Sequence, residues 1–470
     1  MDQKPIDEIL IAACNERALA GLAAGVVKDG QVVYAKGFGM ADSQSGILIS
    51  TDTSFRIGSI SKTFTAIGLM QLCEEGRFKL DDPVNNHLKA YKVAQPPSSP
   101  PVSFRHLLTH TSGVGELRRL SDLLKPTIGL ACKPGSLPTL GAYYTPALKA
   151  EVAPGLKWAY ANHGFATLGQ LVEDISGRPF AQYMLDQVFR PLGMDRTDYT
   201  LSERVRATLA QGYRMRRRGL RPVPYREIIP FPAGSVFSSV NDMVKYLAAL
   251  LNGGANDAGR ILKPDTLATM MAPHYQLDSR MAALGLAFMI EQVDGIRTAG
   301  HDGVWPGFVS SMRFAPDDGV GAVVFTNTTT LPLDGVALAL IRHALDADNS
   351  APRKAILEQP TLWNELCGTY RPPRGFKTNL RIWMLGGALR IFVKRGHLMV
   401  GGRHPFGPVR RGLLLHGADP ADPLLFCAEL GGLRVTVLFK RNATGRVDTM
   451  EVAAPGAFAS LRKRGSKASG

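Results

Sequence analysis

Cysteine is scarce in this chain. Its 470 residues hold five, at Cys14, Cys73, Cys132, Cys367 and Cys427, dispersed and without a Cys-x-x-Cys pair. That spacing argues against a disulfide framework and against a cysteine-bound zinc, and reduced thiols agree with a cytoplasmic protein. Long apolar runs are missing too. No stretch reaches the roughly 18 residues that would span a bilayer, so no stable membrane insertion is expected. A secretory signal needs a basic start and an unbroken apolar stretch. Asp2, Asp7 and Glu8 give neither. A cytoplasmic location follows as the expectation, or a periplasmic one if a leader has been removed. Internal repeats and low-complexity tracts are absent.

What is present is ordinary globular composition, 45% hydrophobic, 8% aromatic and 20% charged. The length exceeds one average core, so one large domain and a smaller one are expected. The formal net charge of +15 favours anionic partners. The basic residues are scattered, however. The densest runs, 214–221 (RMRRRGLR) and 462–467 (RKRGSK), read as a solvated loop and a frayed terminus. No nucleic-acid module accompanies them, so no nucleic-acid partner is expected.

Periodicity predicts an amphipathic helix over 5–18, then two strands over 22–28 and 31–37. Asp29-Gly30 between them is a strong hairpin signal, because both turn residues must take φ > 0. Helices are predicted over 59–75, 163–176, 240–252 and about 332–345, and strands over 308–314 and 321–326. The segment 347–361 is polar and contains proline, as a linker would. Beyond it, short strands are predicted over 381–385, 389–393, 397–400, 413–416, 424–428 and 433–440. Glycine pairs 386–387, 401–402 and 431–432 separate some of them. That pattern suggests a small antiparallel barrel or sandwich.

Three short motifs carry chemistry. The first is Ser59-Ile60-Ser61-Lys62, after Arg56-Ile57-Gly58. If Ser59 opens a helix, Lys62 lies one turn on, on the same face. A serine hydroxyl needs a base to become a nucleophile, and a desolvated lysine can serve. The plainer reading is an N-cap serine with an exposed lysine. The second motif is Trp158-Ala159-Tyr160-Ala161-Asn162. Here Tyr160 offers a proton relay and Asn162 an amide for a substrate carbonyl and for Lys62. A core tyrosine and a helix-capping asparagine are the alternative. The third motif is His301-Asp302-Gly303-Val304-Trp305-Pro306-Gly307, leading into the strand 308–314. Its glycines permit close backbone approach, and a strand edge beside the serine can supply an oxyanion N–H, the other coming from Ser59. The alternative is a structural histidine and a plain turn.

Together, Ser-x-x-Lys, Tyr-x-Asn and His-x-Gly in this order resemble the serine β-lactamase-like superfamily, which includes class C β-lactamases, DD-peptidases, D-aminopeptidases and family VIII carboxylesterases. The segments 52–59, 106–113 (HLLTHTSG), 191–194 and 233–238 (AGSVFS) add to the likeness, which covers about residues 5–345. It implies an α/β (α+β) fold: an antiparallel sheet flanked by helices, with a helical subdomain, and a groove between them. The C-terminal region resembles, by strand pattern alone, the lipocalin-like β-barrel appended to several relatives. The expected division is 1–346 catalytic, 347–361 linker and 362–470 barrel.

By the same resemblance, Ser59 is the acylated nucleophile, Lys62 the base and Tyr160 the proton shuttle. Asn162, His301, Gly303 and Val304 line the substrate and oxyanion site, and no metal or organic cofactor is needed. Many β-lactamases and DD-peptidases carry Lys-Thr-Gly where this chain has His301-Asp302-Gly303. Losing a permanent cation weakens the case for a carboxylate-bearing substrate. The expectation is therefore a carboxylesterase-type serine hydrolase acting on a small ester, amide or short peptide. D-aminopeptidase, DD-peptidase or β-lactamase activity is the alternative, and a non-hydrolytic penicillin-recognising sensor is the non-enzyme one. A homo-oligomer stays open.

Overall fold

The computed structural model describes residues 3–347, 360–373, 375–385, 387–402, 409, 412–430, 433–454 and 456–465. Most of the expected linker, glycines 386, 431 and 432, and the end of the basic tail lie outside these residues.

A nine-stranded antiparallel sheet organises the first part of the chain. Its strands are β1 (Gly21–Lys28), β2 (Gln31–Asp42), β3 (Ile47–Leu48), β4 (Tyr275–Gln276), β5 (Ala283–Leu284), β6 (Met289–Val293), β7 (Ile296–Trp305), β8 (Phe308–Ala315) and β9 (Val320–Thr326). Their spatial order is β4-β5-β6-β7-β8-β9-β1-β2-β3. Asp29 and Gly30 turn β1 into β2 with φ of 52° and 76°, and Lys28 pairs with Gln31 as the hairpin signal requires. The central strands are apolar on both faces. Alternation sends Ala23, Val27, Val323 and Phe325 into one core, and Leu22, Ala24, Val26 and Val324 into another.

Helices α1 (Lys4–Glu16), α2 (Ser61–Glu74), α3 (Asn162–Ser176), α4 (Val240–Leu251) and α5 (Asp334–Ala344) cover these faces. In α1, Ile6, Leu10 and Ala13 recur at helical spacing and are buried in the second core with Leu340 and Ile341 of α5. Burying an isoleucine or leucine in this way contributes about 1.5–3 kcal/mol. Helix α2 is buried along nearly its whole length and runs through the first core, as a helix with little amphipathicity must.

A second antiparallel sheet follows. It comprises β10 (Gly368–Arg371), β11 (Leu389–Lys394), β12 (His397–Gly402), β13 (Leu413–Leu414), β14 (His416–Asp419), β15 (Asp422–Leu430), β16 (Leu433–Arg441), β17 (Val447–Ala454) and β18 (Ala457–Lys463). Their order is β13-β12-β11-β10-β18-β17-β16-β15-β14. The two edge strands are consecutive in sequence, so the sheet curls into a nearly closed barrel and leaves little free edge. Tyr370, Ile391, Leu398, Phe439, Met450 and Leu461 fill it.

Several local expectations change. The segment 381–385 is not a strand but part of helix α6 (Leu380–Leu385), entered from a 3-10 turn at Lys377–Asn379. Asn379 donates to the carbonyls of Pro373 and Gly375 and winds the chain back, while Leu380 and Ile382 are buried. Arg, Leu and Met are good helix formers, so local preference and tertiary contact agree here. The segment 413–416 divides between two strands. The His301 motif leads into the strand that starts at Phe308, as expected, and is itself mostly strand, pairing with it across a hairpin from Trp305 to Phe308.

Candidate active site

Ser59 does not begin the α-helix. It is the middle residue of a 3-10 turn, Gly58–Ile60, and α2 starts at Ser61. Ser61 donates to the carbonyl of Gly58 at 2.6 Å and accepts from the N–H of Val236, which fixes the turn. The helical spacing still holds, and Lys62 donates to Ser59 Oγ at 2.9 Å.

Lys62 has no solvent exposure. Its other neighbours are Asn162 Oδ1 at 2.8 Å and the carbonyl oxygen of Ala233 at 2.7 Å. Two of its three partners are pure acceptors and the third is a hydroxyl. An ammonium would donate to all three, whereas a neutral amine, with two N–H bonds and one lone pair, would satisfy the two acceptors and turn its lone pair on Ser59. Burial and then the nearby Arg381 cation hold the Lys62 ammonium well below the usual lysine range, with Glu116 acting in the opposite sense.

Tyr160 donates to Ser59 Oγ at 2.7 Å. Burial pushes its pKa up to about 12, so it is a phenol at neutral pH. Asn162 opens α3 and points its amide oxygen at Lys62 across 100 residues of sequence.

His301, Gly303 and Val304 lie on β7, against the nucleophile turn. A Cβ on Gly58 would sit 2.7 Å from Val304 N, and the Gly58 φ of +52° favours glycine as well. A Cβ on Gly303 would collide with the carbonyl oxygen of Ile57. Glycine at both positions is what lets strand and turn touch. Val304 N is thereby brought against Gly58, the residue before Ser59, while Val304 itself is 60% exposed. His301 Nδ1 lies 2.7 Å from the carbonyl oxygen of Asp302, and burial above all pushes its pKa down to about 3. Its ring is therefore neutral. Asp302 faces away from it onto Ser311 at 2.7 Å and Arg313 at 2.8 Å.

Ser59, Tyr160, Asn162, His301 and Val304 border a cavity of about 230 Å³ that also takes in Trp158, Leu284, Met289 and Arg381. A larger cleft of about 1020 Å³ opens elsewhere, between Ile47, Leu201 and Phe231, but it contains none of this machinery.

Sequence reasoning missed three participants. Ala233 lies in a segment noted only for its likeness to relatives. His110 was noted in the same way; its Nδ1 accepts from Ala161 N–H at 3.2 Å and its ring lies 4.4 Å from that of Tyr160. Arg381 gave no signal. It comes from α6, beyond the first sheet, and its guanidinium lies 3.6 Å from the Tyr160 ring centroid. Among the described residues, no three His, Cys, Asp or Glu side chains cluster as metal ligands, and no helix is long and apolar enough to cross a membrane.

A family model described as Beta-lactamase matches residues 6–346. The chain is 28% identical over 328 residues to Penicillin-binding protein 4 of Amycolatopsis lactamdurans, covering 67% of this chain and 82% of that protein. It is 26% identical over 378 residues to Esterase EstB of Burkholderia gladioli, covering 73% and 94%. Among solved structures, the octameric penicillin-binding protein homologue from Pyrococcus abyssi superposes with a TM-score of 0.66 at 23% identity, covering 98% of this chain and all of that one. That likeness extends the shared fold through the barrel.

Proposed function

The chain belongs to the Beta-lactamase family, and from that premise we propose that it is a serine hydrolase that cleaves a small ester through an acyl-enzyme on Ser59. The observation that carries the reading is the convergence of Lys62 Nζ and Tyr160 Oη on one hydroxyl, at 2.9 and 2.7 Å.

In the proposed reaction, Ser59 Oγ attacks the ester carbonyl carbon and its proton passes to neutral Lys62. The negative charge on the carbonyl oxygen is held by the N–H groups of Ser59 and Val304. The intermediate collapses, the bond to the alkoxy group breaks, and that group leaves with a proton delivered through Tyr160. Water then attacks the acyl carbon, Tyr160 and Lys62 take its proton, and Ser59 leaves as the restored hydroxyl with the carboxylic acid as second product. Asn162 holds Lys62 and presents its amide to the substrate.

An uncharged substrate is favoured over a β-lactam or a D-alanyl carboxylate, because the cations in and behind the cavity are already engaged. Lys62 is committed to Ser59, Asn162 and Ala233. Arg381 is paired with Glu116 and donates to the carbonyl of Gly456 at 2.7 Å. His301 is neutral.

The test compares wild type with Ser59→Ala on a short-chain chromogenic ester, a chromogenic cephalosporin and a D-alanyl anilide. The expected result is ester turnover that Ser59→Ala abolishes. Preference for the cephalosporin or the anilide would move the protein to the β-lactamase or D-peptidase branch. Turnover that survives Ser59→Ala would remove the mechanism.

A further inference from the structure

Lys62 and Tyr160 face groups from several elements. Ser59 and Asn162 are uncharged. His110, on the loop behind Tyr160, accepts at Nδ1 and is held well below the usual histidine range by burial, so it too is uncharged. His301 on β7 is neutral for the same reason. Among the described residues, that leaves one cation and one anion, Arg381 and Glu116. They arrive from opposite sides of the boundary between the two sheets.

Glu116 follows Gly115 on a loop of the first part, with only 9% of its side chain exposed. Arg381 leads from α6 beside the barrel. Its Nε and Nη2 each lie 3.0 Å from Glu116 Oε1, and its Nη1 binds the carbonyl of Gly456 in the turn between β17 and β18. With these partners fixed, the guanidinium lies 3.6 Å from the centroid of the Tyr160 ring. Lys62 Nζ lies 4.8 Å from the same centroid. The surroundings lock this placement. A Cβ on Gly115 would sit 2.9 Å from the carbonyl oxygen of Lys377, and Lys377 itself binds Glu151 at 2.6 Å. Phe458 of β18 packs edge-on against Trp158 with ring centroids 5.3 Å apart.

We propose that the Arg381–Glu116 pair is a positioning device for the nucleophile's base: the barrel region supplies a cation whose stacking on Tyr160 keeps Lys62 in its neutral, proton-accepting form, and Glu116 sets how strongly that cation acts. This rests on the assignment of Ser59 and Lys62 above. Neither residue touches substrate in this role. A guanidinium suits it because it stays charged when buried and stacks flat on an aromatic face, which an ammonium does less well. The arrangement also makes competence depend on the barrel being seated, because Arg381 reaches Tyr160 only when α6 lies against the 115–117 loop.

The two partners carry opposite charge, so the test has opposite signs. Removing Arg381 leaves an anion near Lys62 and lets the lysine keep its proton to higher pH. Removing the Glu116 charge leaves the cation unopposed and does the reverse. The readout is the rate at which a fluorophosphonate probe labels Ser59 in the full-length chain, measured against pH, with Ser59→Ala as the control for site. For Arg381→Met the ascending limb should move up by about one pH unit, a roughly tenfold slower labelling at a fixed pH on that limb. For Glu116→Gln it should move down, and Arg381→Lys should restore most of the wild-type position. A structural role alone would lower amplitude or melting temperature in both variants without moving the limb in opposite directions. Labelling that requires Ser59 but follows the same pH profile in wild type, Arg381→Met and Glu116→Gln would overturn the proposal and leave the hydrolase reading standing. Labelling unaffected by Ser59→Ala would overturn both.

Discussion

Gly303→Ala tests whether the contact between β7 and the nucleophile turn is needed for catalysis. The substitution adds one methyl group. Its carbon would fall about 1 Å inside the 3.0 Å limit that real Cβ contacts respect, against the carbonyl oxygen of Ile57. The Ile57 carbonyl carbon is 2.8 Å away, so even if Ser310 Oγ rotates aside the clash with the Ile57 backbone stays. Strand and turn must separate by roughly that ångström. Misplacement on this scale is enough to cost on the order of 100-fold in rate. Losing an oxyanion donor outright costs about 2.7–4 kcal/mol, or 10²–10³ in kcat. The expected outcome is a kcat on the short-chain ester reduced 10²- to 10³-fold, with KM changed far less, because the Val304 N–H acts on the transition state. Overpacking should also lower stability by about 1–3 kcal/mol, so thermal melting establishes that the protein assayed is folded. A folded Gly303→Ala with kcat within threefold of wild type would refute both the close approach and the role of Val304.

Tyr160→Phe removes one of the two contacts to Ser59 Oγ and should lower kcat about 10²–10⁴-fold with the fold intact; a smaller loss would shift the proton relay onto Lys62 alone. Burial raises the Asp334 pKa to about 7, with Asp302 next and Arg313 opposing. A raised carboxylate pKa stabilises the fold at low pH, and that contribution is lost as pH rises from about 4 to 7. Asp334→Asn should therefore melt higher than wild type at pH 8 and close to it at pH 5, and equal melting at both would contradict the assignment. Leu10→Ala empties a fully buried site between α1 and the sheet. Urea denaturation should show a loss of about 2–5 kcal/mol, and a loss below 1 kcal/mol would mean that α1 is not part of the core.

Some of this protein was legible because it is local. The Asp29-Gly30 turn fixes its hairpin through two positive φ angles, and the structure has both. Ser59 and Lys62 meet because residues three apart face the same way in a helical turn, a geometry that survived the replacement of α-helix by a 3-10 turn at Ser59. The strand pattern after residue 386 announced a small antiparallel barrel, and the barrel-like sheet is there. The segment 381–385 is too short for periodicity to tell a strand from a helix, and the Asn379 contacts to Pro373 and Gly375 reinforce the helical preference of its Arg, Met and Leu.

By itself, then, the sequence determined the residue types and short-range spacings of the candidate nucleophile and its base, and through its resemblance to known proteins the fold. Tertiary structure decided the rest. It brings the Ala233 carbonyl to Lys62 over 171 residues of sequence, and the Arg381 guanidinium to Glu116 over 265. Burial and the Arg381 cation lower the Lys62 pKa, and the Glu116 charge opposes them. Residue type and neighbouring spacing fix what is covalently near, whereas burial and charge act through space, on atoms that are neighbours only after the chain has folded.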